Sequence, residues 1–311
     1  MSIANRENIG RHSTTDEVLA GIDLTGKRIL ITGGSSGLGA ETARALASKG
    51  AHVVITARNT VAGATVVKSI IESTGNANVE MMSVELGSLK SIRAFAGQFL
   101  AKYDTLDILI NNAGVMACPH KTTEDGFELQ FGVNHLGHFL LTKLITPALV
   151  KADNARIVCL SSMAHHMSPV VFQDIQFEHR EYNSWASYGQ SKSANALHAL
   201  GLDERLKNQG VRAFSVHPGV IETNLGRHLP EEDLKRLEQM KPIQKTIPSG
   251  AATSVYAATA PELDGKGGLY LADCQIGTVQ DEGRVETFVR SYVMNKESAN
   301  RLWEISEKMT A

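Results

Sequence analysis

The feature that most restricts this chain is a glycine-rich turn set between an apolar run and a helical run, Thr32-Gly33-Gly34-Ser35-Ser36-Gly37-Leu38-Gly39. Arg28–Thr32 before it reads as a strand, and Ala40–Lys49 after it reads as a helix. A strand that passes through glycines straight into a helix brings a helix N-terminus and a row of backbone N–H groups to the strand's end. That arrangement binds phosphate, and only glycine allows the close approach and the positive φ it needs. Following a strand and opening a helix is the context that separates a dinucleotide turn from an ordinary tight turn.

The rest of the chain repeats the same alternation. Further strands are expected at His52–Ala57, Val79–Leu86, Leu106–Ile110, Arg156–Leu160, Val211–His217 and Gly268–Leu271. They are short and apolar at successive positions, as parallel strands covered on both faces are. Helical periodicity fills Val61–Ser73, Ser88–Lys102, Phe127–Val150, Ser187–Asn208 and Ser249–Ala258, and Gly50, Gly75 and Gly210 stand where C-terminal caps belong. Repeated β–α steps cross over right-handed and build an α/β fold, a doubly wound parallel sheet of the Rossmann kind. No repeat or linker divides it, so residues 26–311 read as a single domain behind an N-terminal arm, residues 1–25. Two stretches, 164–186 and 221–248, interrupt the alternation beyond strand ends, where loops that cover a ligand usually sit.

Composition narrows the partners. The 311 residues are 42% hydrophobic and 21% charged with a net charge of −2, a balance that fills a large core and offers nothing to nucleic acid or an anionic membrane. Cys118, Cys159 and Cys274 are too few and too scattered for a disulfide framework or a zinc site, which points to a reducing compartment. Met1 to Glu17 lacks the apolar core of a signal peptide, and no apolar run reaches the roughly 18 residues a bilayer span needs. A cytoplasmic protein is expected. His135, His138, His165 and His166 form no closed ligand set with a carboxylate or cysteine, so no metal is expected and these histidines read as solvated or structural.

A second motif carries the chemistry. Tyr188 and Lys192 are four residues apart near the start of a helix and so share a face. A free phenol has a pKa near 10. A neighbouring ammonium would stabilise its phenolate and bring the group closer to a working proton donor and acceptor. Ser162 closes the apolar run Arg156-Ile157-Val158-Cys159-Leu160-Ser161-Ser162 in the same half of the chain, where its hydroxyl can hold a substrate oxygen.

These residues together resemble the short-chain dehydrogenase/reductase family. The T-G-x-x-x-G-x-G spacing at Thr32–Gly39, Asn111-Asn112-Ala113-Gly114 after the fourth strand, and Ser162 with Tyr188 and Lys192 carry the resemblance from about Asp23 onward. Gly132-Val133-Asn134-His135-Leu136-Gly137-His138 and Tyr188-Gly189-Gln190-Ser191-Lys192-Ser193-Ala194-Asn195 are similar to the branch of retinol dehydrogenases, WW-domain oxidoreductases and protochlorophyllide reductases. No WW domain is recognisable in the chain.

The resemblance implies hydride transfer between a nicotinamide and a carbonyl or alcohol. Its catalytic set is Ser162, Tyr188, Lys192 and Asn134, the last holding a water between the lysine and solvent; by resemblance Ser162, rather than Ser161, is catalytic. Gly33, Ser35, Ser36, Gly37, Leu38 and Gly39 would hold the pyrophosphate. Asn112, Ala113 and Gly114 would lie by the adenosine ribose, Glu85 and Leu86 by the adenine, and Pro218, Gly219 and Thr223 by the nicotinamide, with Tyr188 and Lys192 also reaching the cofactor. Glu85 departs from the aspartate common at its position, and Ser36 from the basic residue many NADP-using members carry there.

Cofactor choice turns on the end of the second strand, Thr56-Ala57-Arg58-Asn59. It has no carboxylate to grip a ribose 2′-hydroxyl, whereas the Arg58 guanidinium can take a 2′-phosphate bidentately, so NADP(H) is favoured over NAD(H). Phe172, Phe177, Tyr182, Trp185, Leu225 and Leu229 in the two loops would suit a hydrophobic small-molecule substrate, or would pack the loops on the sheet. A homo-oligomer is compatible with the family. Three alternatives stand beside this reading: reduction of a carbon–carbon double bond on the same scaffold, a non-catalytic NADP(H)-binding regulator, and a sugar-nucleotide epimerase or dehydratase, against which the glycine spacing argues.

Overall fold

A computed structural model describes residues 8–226, 229, 231–239 and 241–311; the first seven positions of the expected arm and positions 227, 228, 230 and 240 of the second loop lie outside the described residues. The chain alternates α1 (Thr15–Val18), β1 (Arg28–Ile31), α2 (Gly37–Ala47), β2 (His52–Ala57), α3 (Thr60–Thr74), β3 (Val79–Ser83), α4 (Leu89–Lys102) and β4 (Ile108–Asn111). It continues with α5 (Leu129–Phe131), α6 (Gly137–Val150), β5 (Ala155–Leu160), α7 (Ser184–Leu206), β6 (Val211–His217), α8 (Glu231–Gln239), α9 (Ile247–Thr259), β7 (Leu269–Ala272), β8 (Gln275–Ile276) and α10 (Lys296–Met309). Thr278–Val279 and Phe288–Val289 pair as a separate parallel ribbon.

The main sheet runs β3-β2-β1-β4-β5-β6-β7-β8 and is parallel except for the β7–β8 pair. Strand order reverses between β1 and β4, so a crevice opens at their C-terminal ends, where doubly wound sheets bind ligands. Successive strand residues face opposite layers. Ile29 and Ile31 pack with α2 (Ala43, Leu46) and α9 (Ala252, Val255), while Leu30 packs with α4 (Phe95, Phe99) and α6 (Leu140, Ile145). Burial on both faces explains why these strands read as continuous apolar runs.

Three departures from the expected elements have physical reasons. The span expected as one helix over Phe127–Val150 contains a wider π turn at Gly132–Leu136 between α5 and α6. Thr15–Val18, expected within a polar arm, forms α1, started by a Thr14–Glu17 capping box, and Val18 and Leu19 are wholly buried on the core. α10 went unpredicted because its buried residues are only Ala299, Leu302 and Ser306 among many charges. Its place is decided by partners far away in sequence, with Trp303 edge-on to Phe139 at 4.9 Å.

Candidate active site

One cleft at the C-terminal ends of β1, β2, β4 and β5 joins the two sequence motifs. Its walls include Gly33, Ser35, Ser36, Gly37, Leu38 and Gly39 from the first turn, Arg58, Glu85 and Leu86, then Asn112, Ala113 and Gly114, and finally Tyr188, Lys192, Pro218 and Thr223. Of the expected site residues, Ser162, Asn134 and Gly219 are not part of this lining. Thr56, Ala57, Asn224 and Leu225 also line it and were not singled out from the sequence as cofactor contacts.

The glycine turn is built for close approach. Gly33 has a φ of +66° and Gly37 of +54°. A Cβ on Gly39 would collide with the Gly33 carbonyl oxygen and stand 2.6 Å from Asn112 Nδ2. Asn112 Nδ2 in turn donates to the Thr32 carbonyl at 2.8 Å and to the Gly33 carbonyl at 3.2 Å, holding the turn against the β4 end. α2 begins at Ser36 without a side-chain cap, whereas α3, α4, α7, α9 and α10 are capped by Asn59, Ser88, Asn183, Thr246 and Asn295. The first-turn N–H groups of α2 therefore face the cleft without a side-chain partner, at the positive end of the helix dipole. They fit a pyrophosphate.

At the end of β2 the buried Ala57 leaves a carboxylate-free wall, and Arg58 projects 63% exposed over the cleft edge. Its Nη1 lies 3.6 Å from Glu85 Oε2. The other Glu85 oxygen accepts from Gly87 N at 3.0 Å, so the longer acid folds back on its own loop.

The reacting end is set by β5 and α7. Ser162 follows β5 and takes a hydrogen bond from Ala164 N at 3.1 Å, and its side chain is close enough to the Tyr188 phenol to favour the ionised form slightly. Ser161 donates to the Lys192 carbonyl at 2.8 Å, so the first serine is spent on α7 and the second faces the phenol. Lys192 Nζ donates to the Leu160 carbonyl at 3.1 Å and lies 5.5 Å from the Tyr188 ring centroid.

Burial governs both groups, which changes one expectation. The Tyr188 phenol is pushed above its ordinary value by desolvation, only partly opposed by the hydrogen bond with Ser162. Lys192 does not pull it down here, because its ammonium is directed at Leu160. Burial also lowers Lys192 itself, to about 8, against a smaller opposing effect from Cys159.

Asn134 lies on the π turn, fully buried. Its Oδ1 accepts from Val115 N at 2.8 Å, and its Nδ2 donates to the Val115 carbonyl and to Ser191 Oγ, each at 2.9 Å. A Cβ on Gly114 would stand 3.1 Å from Asn134 Oδ1 and 3.7 Å from Lys192 Nζ, so the glycine lets the backbone after β4 pass close to both. Gly219, at φ +99°, packs its Cα on the stem of the buried Lys245, which shapes the turn from beneath.

The loops meet the site at Trp185. Its ring is edge-on to Tyr188 at 6.1 Å, and its Nε1 donates to Asp233 of α8 at 2.8 Å. Phe172, Phe177 and Tyr182 instead pack the first loop onto the body. Arg301 lies over Phe172, Arg180 covers Phe177, and the Tyr182 hydroxyl donates to the Cys118 carbonyl at 3.0 Å. His135, His138 and His165 are buried and hydrogen-bonded rather than solvated, and no metal-binding cluster occurs among the described residues.

An uncapped helix at the switch point, sharing one cleft with the buried Tyr188 and Lys192 and with Ser162 close by, defines a nicotinamide-dinucleotide oxidoreductase of the Rossmann class. The family model for short chain dehydrogenases matches residues 27–234, and the chain belongs to that family. It is 43% identical to human retinol dehydrogenase 12, over 92% of this chain and 86% of that protein. It is 41% identical to the chloroplastic short-chain dehydrogenase TIC 32 B of Brassica napus, over 98% of this chain and 95% of that one. A crystal structure of an uncharacterized protein from Mycobacterium Paratuberculosis superposes with a TM-score of 0.73 at 34% identity, covering 96% of this chain and 97% of that one. The chain is thus an oxidoreductase of CH–OH and C=O groups in the retinol dehydrogenase-like branch. Among the described residues no helix is long and apolar enough to cross a membrane.

Proposed function

We propose that this chain uses NADP(H) to interconvert a lipophilic carbonyl compound and its alcohol. The observation that carries the reading is the single cleft lined both by Tyr188 and Lys192 and by the uncapped start of α2, with Ser162 beside the phenol. When bound, the dinucleotide supplies or accepts the hydride. Tyr188 then exchanges the proton at the substrate oxygen, and Ser162 holds that oxygen in line. Burial keeps the phenol protonated in the empty cleft, the form that reduction consumes. Lys192 orients the ribose, and Asn134 packs close beside it across Gly114.

Arg58 beside the carboxylate-free Ala57 supports NADP(H), since a 2′-phosphate can displace Glu85 as its partner. The lipophilic substrate class rests on Leu225 in the cleft wall and Trp185 beside Tyr188, together with a human relative whose name denotes retinol. The test is an absorbance screen at the nicotinamide band, pairing both cofactors with hydrophobic aldehydes, ketones and alcohols. Turnover with NADPH and a carbonyl is expected. Tight NADPH binding without turnover across the panel, or a product reduced at carbon–carbon bonds, would replace the reading.

A further inference from the structure

His138 is absent from both motifs, yet it touches a residue group behind each. It is 1% exposed, one helical turn after Asn134. Its Nδ1 lies 2.9 Å from the Asn134 carbonyl and its Nε2 lies 2.8 Å from Thr32 Oγ1. A carbonyl only accepts, so Nδ1 carries the proton. Burial drives the ring well down, to about 4, so it is neutral, and its Nε2 accepts from the Thr32 hydroxyl. Thr32 Oγ1 meanwhile accepts from Asn112 N at 2.9 Å and Ala113 N at 3.0 Å. The Thr32 hydroxyl also lies 3.4 Å from the Ile110 carbonyl, a longer contact than the 2.8 Å to His138.

The bonds close a ring. From Asn134 they pass through His138 to Thr32 and on to Ala113; the backbone then runs through Gly114 to Val115, which bonds back to the Asn134 side chain. Gly114, a member of the ring, lies against Lys192, whose Nζ is 3.7 Å from where a Cβ on the glycine would stand. Thr32 begins the dinucleotide turn, and Asn134 faces the lysine. We propose that His138 is a positioning residue that holds the glycine turn and the Asn134–Lys192 end of the site in register through the two nitrogens of one neutral imidazole. The inference rests on the functional reading above for what Asn134 and Lys192 do.

Two near-isosteres separate its halves. His138→Asn keeps a donor where Nδ1 stands and loses the Thr32 contact. His138→Gln keeps an acceptor near Nε2 and loses the Asn134 contact. In the full chain, NADPH affinity is read by nicotinamide fluorescence and turnover by NADPH oxidation with nonanal.

His138→Asn is expected to weaken NADPH about fivefold to tenfold with kcat within about twofold, the size of one lost neutral hydrogen bond. His138→Gln is expected to lower kcat by about tenfold with NADPH affinity within about twofold. Nitrogen-15 NMR of the wild-type ring should show a neutral imidazole protonated at Nδ1 across neutral pH. A purely packing role would move both variants alike, by loss of melting temperature. Equal effects of the two variants on affinity and kcat, or a ring protonated at Nε2, overturn the proposal. Affinity and tautomer are read without turnover. A wild-type chain inactive on every carbonyl would therefore sink the functional reading, while NADPH weakening confined to His138→Asn would still support the ring.

Discussion

The Lys192 ammonium donates to the Leu160 carbonyl at 3.1 Å, and Asn195 Nδ2 donates to the same oxygen at 2.8 Å. That carbonyl keeps a partner if the lysine is replaced, so the charge itself can be tested. Burial holds Lys192 at about 8, below the ordinary 10.5, with Cys159 opposing weakly. The unfolded chain therefore binds this proton more tightly than the folded one. The cost is fully felt below pH 8 and fades as pH rises from about 8 to 10.5, so stability climbs with pH across that window. Lys192→Met should stabilise the cofactor-free protein at pH 7 by at most on the order of 3 kcal/mol, lose the advantage above about pH 10.5, and abolish turnover. Urea midpoints at the two pH values check it; a lower midpoint at pH 7 would contradict the burial argument.

Tyr188→Phe removes the proton at the substrate oxygen and leaves the packing with Trp185. Turnover should fall by about a hundredfold or more while NADPH affinity changes less than about twofold. Steady-state rates beside a fluorescence titration decide it, and undiminished kcat would end the role given to this phenol.

The proposed preference for NADP(H) rests on Arg58. Losing a charge-assisted pair costs roughly tenfold to a hundredfold in affinity, so Arg58→Ala should weaken NADPH by that factor and NADH by less than about twofold. Titrating both dinucleotides against both proteins separates this from a general loss of binding. Parallel weakening would show Arg58 to be a surface residue.

The two glycines of the turn should fail in different ways. A methyl on Gly39 meets the Gly33 carbonyl, which cannot move without opening the β1–β4 junction, so Gly39→Ala should cost about 3 kcal/mol or more and a large drop in melting temperature. Gly37 has room, with Thr223 Cγ2 at 3.5 Å from a built Cβ, but a φ of +54°. Gly37→Ala should fold with a penalty of about 1 kcal/mol and bind NADPH more weakly. Calorimetry with a binding titration tells them apart.

At the opposite, N-terminal edge of the strands, Glu80 gathers His52 at 2.8 Å together with Lys102 and Tyr103. Burial works against its charge, yet the hydrogen bonds from these three groups prevail and bring it down to about 2 from 4.5. Its contribution is complete above pH 4.5 and is lost as pH falls towards 2. Glu80→Gln should flatten the acid limb of the urea midpoint over that window. An unchanged slope would show that other carboxylates set acid stability.

Much of this was legible in the chain because its causes are local. The Thr32–Gly39 turn, strands apolar at successive positions, and the Tyr188–Lys192 spacing each follow from backbone sterics or helical period. The π turn at Gly132–Leu136 was not legible, since nothing in its residue types separates it from the helix on either side. α10 was missed because its thin stripe of small and apolar residues gains meaning only against α7 and Phe139. That Tyr188 lies above its ordinary value in the empty cleft could not be read from the chain, because desolvation depends on what surrounds a group, which spacing along a helix does not reveal.

By itself the sequence determined the layered fold, the glycine-rich turn after β1 and the shared helical face of Tyr188 and Lys192, because each depends on residues within a few positions of one another. The tertiary structure decided where the Lys192 ammonium points, which serine meets the phenol, and how His138 spans Thr32 and Asn134. Those outcomes depend on strand register and burial, which arise only when segments distant in the chain exclude water together.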